Sequence, residues 1–311
     1  MRYLCLAAAI IIFAGMAVSA QADVTIKKKM SFEGMMGMGG NTTEETEYIK
    51  ADMSCSDKIQ KATGGLMGKK GKETQDVQIT RLDKGLIWNL NVGKKTYTEM
   101  PIQSIKDMMN EAKDAPDTPE DEEAPESDYE WKTDVKQIDG LKAINGFECR
   151  GIVGTANGVN KKDPSDKMRI TYEFWGTDKA QGRQELEDYY KAYAKLLGVD
   201  EFQSQQGMDK MTQQYSLQFG GLFADKIKEA GSFPIKVTMK VEKSGGKDQE
   251  GNEEAAKAMA KLGGLFGNKK KVEKSADGMT TILSTDTEVT GIEYGPIAGS
   301  KFEVPTDYKK K

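Results

Sequence analysis

Apolar and polar residues alternate with period two along most of this chain, a pattern that fits a half-buried β-strand and little else. Val24, Ile26, Met30 and Phe32 share one side of such a segment, while Thr25, Lys27, Lys29, Ser31 and Glu33 share the other. The alternation recurs over residues 46–53, 76–82, 86–92 and 96–100. Asp83-Lys84-Gly85 and Gly93-Lys94-Lys95 fall between these runs, where hairpin turns belong. Strands joined so tightly make an antiparallel meander, because a parallel pair needs a long crossover.

Pro101 ends that meander, and Ile102, Ile105, Met108 and Met109 then recur at helical spacing. Residues 114–128 follow with eight acidic side chains, no basic one and three prolines. Such a stretch lacks the apolar surface that offsets ordering entropy, so it reads as a disordered, solvated insertion or a weak cation or basic-partner tether. Alternation resumes at Tyr129, Trp131, Thr133 and Val135, and continues in residues 147–156 and 168–175. Leu186, Tyr189, Tyr190, Tyr193 and Leu197 then mark the strongest helix, with Gly198 at its C-cap position. Residues 207–230 look helical but are loosened by Gly220-Gly221. Ile235, Val237, Met239 and Val241 form a clean strand, residues 253–262 an Ala-rich helix, and residues 279–294 one or two last strands. About ten strands with few helices imply an α+β fold: one large antiparallel sheet with helices over one face.

The amino terminus carries Arg2, an apolar run over residues 3–18, and Ala20-Gln21-Ala22 before Asp23. A positive end, a short apolar core and small residues at a cleavage site read as a secretory signal over residues 1–22, leaving residues 23–311 as one exported domain. No later run is apolar enough for a spanning helix, so no stable transmembrane anchor is expected. The net charge of −4 turns to +4 without the acidic insertion; neither value is extreme, and nucleic acid is not an expected partner.

Histidine is absent from the chain. A Ser-His-Asp or Cys-His nucleophile cannot be built from it, nor can the imidazole-dependent zinc and haem sites. Catalysis would have to use carboxylates, Lys or Tyr. No catalytic residue, metal or cofactor is assigned. Glu185, Glu187 and Asp188 read as a solvated helix face, and Asp248, Glu250, Glu253 and Glu254 lack calcium-loop spacing. Asn41-Thr42-Thr43 matches a glycosylation acceptor.

Cys55 and Cys149 remain after signal removal. In an oxidising compartment they are expected to form a disulfide, stabilising the fold by roughly 4 kcal/mol in the chain-entropy model; two buried thiols are the alternative. Gly-Gly-Leu-Met/Phe occurs three times, ending in Leu66-Met67, Leu222-Phe223 and Leu265-Phe266. Glycine gives backbone freedom and Met or Phe adaptable apolar surface, which suits a mobile cover over an apolar cavity or shallow membrane contact; helix ends plugged into the core are the plainer alternative. Tyr189, Tyr190 and Tyr193, with Leu186, either line a ligand pocket or pack the helix onto the sheet.

Several motifs carry a resemblance: residues 90–101 with Gly93-Lys94-Lys95-Thr96-Tyr97-Thr98-Glu99-Met100-Pro101, then Ile144-Asn145-Gly146-Phe147-Glu148-Cys149, Trp175-Gly176-Thr177, and Phe302-Glu303-Val304-Pro305-Thr306-Asp307-Tyr308. In this order they resemble an uncharacterised family of exported bacterial proteins, itself distantly similar to the periplasmic lipoprotein carriers and outer-membrane lipoprotein receptors of the Lol system. That resemblance implies an incomplete, curved antiparallel barrel whose concave apolar face is closed by helices and holds acyl chains. The acidic insertion and residues 181–230 depart from the compact carrier pattern.

The expectation is a soluble, non-enzymatic periplasmic or secreted protein that binds a lipid or other apolar molecule between sheet and helices. Leu186, Tyr189, Tyr190, Tyr193, Leu66, Met67, Leu222, Phe223, Leu265 and Phe266 are the candidate ligand contacts. An envelope interaction module with a filled core is the alternative, and a carboxylate-based hydrolase is a more distant one.

Overall fold

The period-two segments become strands, and the strands form one sheet. A computed structural model of the protein describes residues 23–33, 40–62, 73–114, 128–198, 229–231, 233–244, 275 and 277–311. The expected signal segment, nearly all of the acidic insertion, the three Gly-Gly-Leu motifs and the helices expected over 207–230 and 253–262 lie outside these residues, except Glu229 and Ala230. In chain order the elements are β1 Val24–Glu33, β2 Gly40–Lys50, β3 Met53–Ala62, β4 Thr74–Arg81, β5 Leu86–Asn91, β6 Thr96–Pro101, α1 Ile102–Asp114, β7 Tyr129–Ile144, β8 Phe147–Asn160, β9 Lys167–Thr177, α2 Arg183–Leu197, β10 Phe233–Ser244, β11 Thr280–Tyr294 and β12 Lys309–Lys310.

All twelve strands lie in the order β12-β6-β5-β4-β3-β2-β1-β11-β10-β9-β8-β7. Two meanders, β1–β6 and β7–β11, meet where β1 pairs with β11, so the first strand and the last long strand form the central seam. Every pairing is antiparallel except the two-residue β12, which runs parallel to β6. The sheet is an incomplete barrel with edges at β12 and β7. Bulges at Lys27/Lys28, Pro234/Lys236 and Val241/Glu242 interrupt the register, and each adds local bend and twist.

Local chemistry sets the turns. Gly85 adopts φ +64° in the β4–β5 turn, as Asp83-Lys84-Gly85 predicts. The β5–β6 connection is a 3₁₀ turn over Val92–Lys94, and it places the left-handed residue at Lys95, φ +49°, not at Gly93. The Asn91 side chain accepts from the Lys94 amide and fixes that turn. Gly198 caps α2 at φ +73°, its N–H donating to the Ala194 carbonyl at 2.8 Å.

The two faces of the β2–β6 half carry different cover. Val24, Ile49, Ser54, Thr80, Ile87 and Met100 are successive cross-strand partners on one face, and α1 and α2 pack there through Ile102, Ile105, Tyr189 and Leu197. Met108 of α1 stays exposed. On the opposite face, Tyr48, Cys55, Ile79 and Trp88 are partners, and the C-terminal tail covers them with Ile297, Phe302, Val304 and Tyr308. Phe302 is fully buried. Arg81 pins the tail: it makes a two-pronged contact with Asp83 at 2.7 and 2.6 Å and a further one with Glu303. Asp23 ties the start of β1 to the same tail, accepting from Lys50 at 2.9 Å and from the Ile297 amide at 2.6 Å.

The β8–β11 half is built differently. Ile152, Phe174 and Val237 stand opposite one another, as do Ala156, Ile170, Val241 and Leu283. With Tyr172 and Met239 they form an apolar sheet face continuous with Phe32 of β1. Glycines of β8 admit tryptophans: the Trp131 ring lies where a Gly158 Cβ would sit 3.0 Å away, and the Trp175 ring where a Gly151 Cβ would sit 2.7 Å away. A glycine opposite an aromatic ring lets the ring lie flat across the neighbouring strand.

The expected disulfide is not formed. Cys55 and Cys149 are both free and buried. Cys55 sits on β3 beneath the tail and Cys149 on β8 among Ile144, Trp175 and Phe233. β3 and β8 are six strand positions apart, roughly 29 Å along the sheet at ~4.8 Å per strand, whereas a bridge needs Cα atoms within about 7 Å. Burial pushes both thiols up, Cys55 to about 11, so both stay protonated as small apolar side chains.

Candidate functional site

The tyrosines of α2 meet the sheet through polar contacts as well as through their rings. Residues 186, 189, 190, 193 and 197 fall on one side of a 3.6-residue helix, and that side faces β2, β3 and β4. Tyr189 is buried, and its hydroxyl lies 2.6 Å from Ser54 Oγ, with Thr80 also in reach. Burial drives its phenol well above the ordinary value. The Tyr190 hydroxyl donates to Glu47 Oε1 at 2.8 Å. Tyr193 stacks on Tyr189 at 6.4 Å between centroids, and Tyr190 meets it edge-on at 5.5 Å.

Glu47 belongs to a charged seam on this face. Lys28 Nζ donates to Glu47 Oε2 at 2.6 Å, and Glu45, two residues earlier on β2, accepts from Ser56 Oγ at 2.6 Å and lies 3.3 Å from Lys58. Burial alone would raise the Glu47 carboxyl, but the Lys28 ammonium and the Lys28 and Tyr190 hydrogen bonds hold it below its ordinary value. Burial would lower Lys28, yet Glu47 and Glu45 outweigh it and raise the ammonium. Tyr190 is pushed far up by burial and by the adjacent Glu47 charge.

Four of the ten sequence-expected ligand residues, Leu186, Tyr189, Tyr190 and Tyr193, therefore come together between α2 and the sheet. Leu66, Met67, Leu222, Phe223, Leu265 and Phe266 lie outside the described residues. Lys28, Glu45 and Glu47 were missed by the pattern reading. Lys28 follows Ile26 and precedes Met30 in the inward phase, and Glu47 stands two residues before Ile49. A charge occurring in phase with buried aliphatics was the available signal.

Glu45 and Glu47 are two buried carboxylates on one strand face, the kind of pair a hydrolase would need. Each is engaged by a lysine and a hydroxyl. The Glu47 carboxyl, held below its ordinary value, serves poorly as a general acid near neutral pH. Among the described residues, no group of three or more Cys, Asp or Glu could hold a metal ion.

A pocket of about 130 Å³ opens at the β8–β9 end, lined by Leu141, Glu148, Arg150, Gly176, Thr177, Asp178, Lys179 and Ala230. It is well under the ~300 Å³ that small-molecule sites usually need, and its charges are taken up by Lys179–Glu148 at 2.6 Å and Arg183–Asp178 at 3.1 Å. None of the α2 tyrosines lines it. No helix among the described residues is long and apolar enough to cross a membrane. No protein-family model and no curated protein matches this chain.

Proposed function

We propose that this is an exported periplasmic protein, without enzymatic activity, that holds a lipid or similar apolar molecule against the β8–β11 half of its sheet. The observation carrying the reading is the contrast in what touches each apolar face. Beneath α2 the space is taken by Tyr189, Tyr190 and Tyr193, two of them hydrogen-bonded to the sheet. Over Ile152, Ile170, Phe174, Met239, Val241 and Leu283 the described cover is Ala230 with side chains of the sheet itself. A hydrocarbon guest on that face gains about 25 cal/mol for each Å² removed from water. These side chains are buried in the free chain, so a guest enters by displacing apolar contacts. The Lol-like half-barrel named above, with helices over its concave side, is the architecture this reading adopts. Absence of histidine and the engagement of Glu45 and Glu47 by lysines and hydroxyls support a binding role over catalysis.

The test is native mass spectrometry of the exported protein, solvent extraction, and titration with a fluorescent fatty-acid analogue. The reading expects amino-terminal sequencing to begin at Asp23, a lipid mass on the chain or saturable probe uptake, and loss of uptake in Val237→Lys but not in Tyr190→Phe. A bare protein that takes up no probe would overturn it. That result would favour the second reading, an envelope interaction module with a filled core, which draws on the polar fastening of α2 to Ser54 and Glu47.

A further inference from the structure

We infer that the β7 edge is a homodimer interface, at which two copies pair their edge strands antiparallel around a two-fold axis at Thr133. β7 is sixteen residues long and hydrogen-bonds to β8 on one side, with no strand on its other side among the described residues. The opposite edge of the sheet is β12, two lysines followed by Lys311, a short single-sign strand of the kind that resists pairing. β7 carries both signs.

Its pairing with β8 is regular from Tyr129 to Ile138 and then breaks at a bulge containing Gly140, φ +83°. Within the regular run Glu130, Lys132, Asp134 and Lys136 alternate along one face, all exposed. Trp131, Thr133 and Val135 occupy the other face, beside the apolar surface of β8–β10. In an antiparallel pair centred on Thr133, Glu130 meets Lys136 of the second copy and Lys132 meets Asp134 of the second copy. On the other face Trp131 meets Val135 of the second copy, an aromatic–β-branched pair of the favourable kind. The two-fold repeats every contact. Moving the centre to Lys132 sets Lys132 against itself and Glu130 against Asp134; moving it to Asp134 sets Asp134 against itself and Lys132 against Lys136. A centre at Val135 keeps only the Asp134–Lys136 pair and runs into the bulge after Ile138, and a centre at Trp131 sets Asp128 against Asp134, so the Thr133 register alone satisfies both charge pairs within the regular run. Lysines alone would keep this edge unpaired; interleaved with acids at this spacing, they make it self-complementary.

The experiment is sedimentation and light scattering of the full exported chain across a concentration series, with disulfide trapping. A reversible dimer weakened by salt is expected. Lys136→Glu should raise its dissociation constant about tenfold or more, since two attractive pairs become two repulsive ones. Combining Glu130→Lys with Lys136→Glu should restore dimerisation. Thr133→Cys should cross-link under mild oxidation, its Cβ lying about 5 Å from its own copy across the axis, whereas Gln137→Cys, on the same face, should not. The native thiols are buried and do not compete. Near-ultraviolet circular dichroism checks that each variant is folded. A monomer at every concentration, equal trapping at both positions, or a charge reversal that fails to restore the dimer would overturn the inference.

Discussion

The two halves of this sheet reach the same end by different means. β2–β6 are strands of six to eleven residues, layered on both faces, with α1 and α2 on one and residues 297–308 on the other. β7–β11 are strands of eleven to sixteen residues whose described apolar contacts are mostly cross-strand, with Ala180, Leu186 and Ala230 added from outside the sheet. Short strands present little area, so the first half depends on elements brought from far along the chain. Over the β2–β6 half the described cover is fastened by side-chain hydrogen bonds, whereas over Ile152, Ile170 and Val241 it is Ala230, and the proposed guest site rests on that difference.

The largest test of this difference is Phe302→Ala. Phe302 is fully buried at the centre of the tail-covered cluster with Cys55, Ile79, Trp88 and Leu90. Removing the ring should cost about 3–5 kcal/mol, measured by urea unfolding. Hydrogen exchange should show the loss as local, with β3–β6 and the tail exposed and β8–β10 still protected. Uniform loss of protection would mean that the halves are one cooperative unit and that the contrast has no energetic content.

Gly151→Ala probes the second half. The added methyl would stand 2.7 Å from the Trp175 ring and 2.9 Å from Ile138. That ring cannot easily swing aside, because its indole N–H donates to Glu173 and the Lys142 ammonium sits 4.7 Å from its centroid. Overpacking of this kind costs about 1–3 kcal/mol. The loss should appear in β7–β9 exchange while the tail stays protected. A neutral result would show that the glycine–tryptophan pairs are not what holds the long strands together.

Much of this division was legible in the residues. Alternation located β1, β4, β5 and β6, but it read residues 46–53 straight through the turn at Ala51-Asp52 and left nearly all of β3 unread; the Tyr-rich stripe located α2, and Gly198 fell at its cap. Periodicity is local, however, and the pairing of β1 with β11 is not. Nothing in the spacing of Val24 and Ile26 says that their partners are Tyr294 and Ile292, over 260 residues away. Alternation from Tyr129 to Val135 does not announce the bulge that carries β7 on past Gly140 to Ile144. Phe302 could be recognised as a motif residue but not as the plug of the tail, since a single buried ring has no period. The candidate site was legible only on its apolar side. Its tyrosines followed helical spacing, while Lys28 and Glu47 sat in inward phase, where a pattern search sees noise. The cysteine pair was misread because sequence separation says nothing of strand order.

The smallest expected effect concerns that charged seam, and it decides how α2 is held. Tyr190→Phe removes one of the hydrogen bonds to Glu47 and leaves Lys28 in place, so about 1–2 kcal/mol should be lost. The stronger discriminator is pH. The folded-state value of Glu47 lies below its ordinary 4.5, so its contribution is complete above that value and is withdrawn as pH falls through the folded one. Lys28 has the opposite sign: raised above 10.5, it contributes fully below that pH and is lost as pH climbs through its folded value. Glu47→Gln should therefore remove the acid limb of the stability profile and weaken the alkaline one, leaving Lys28 only Glu45, and Lys28→Met should flatten both limbs, since without the ammonium the depression of Glu47 is lost as well. If neither limb changes, α2 is held by its rings alone. The first half would then be closed by apolar packing just as the second is, and the polar fastening that distinguishes the two halves would carry no weight.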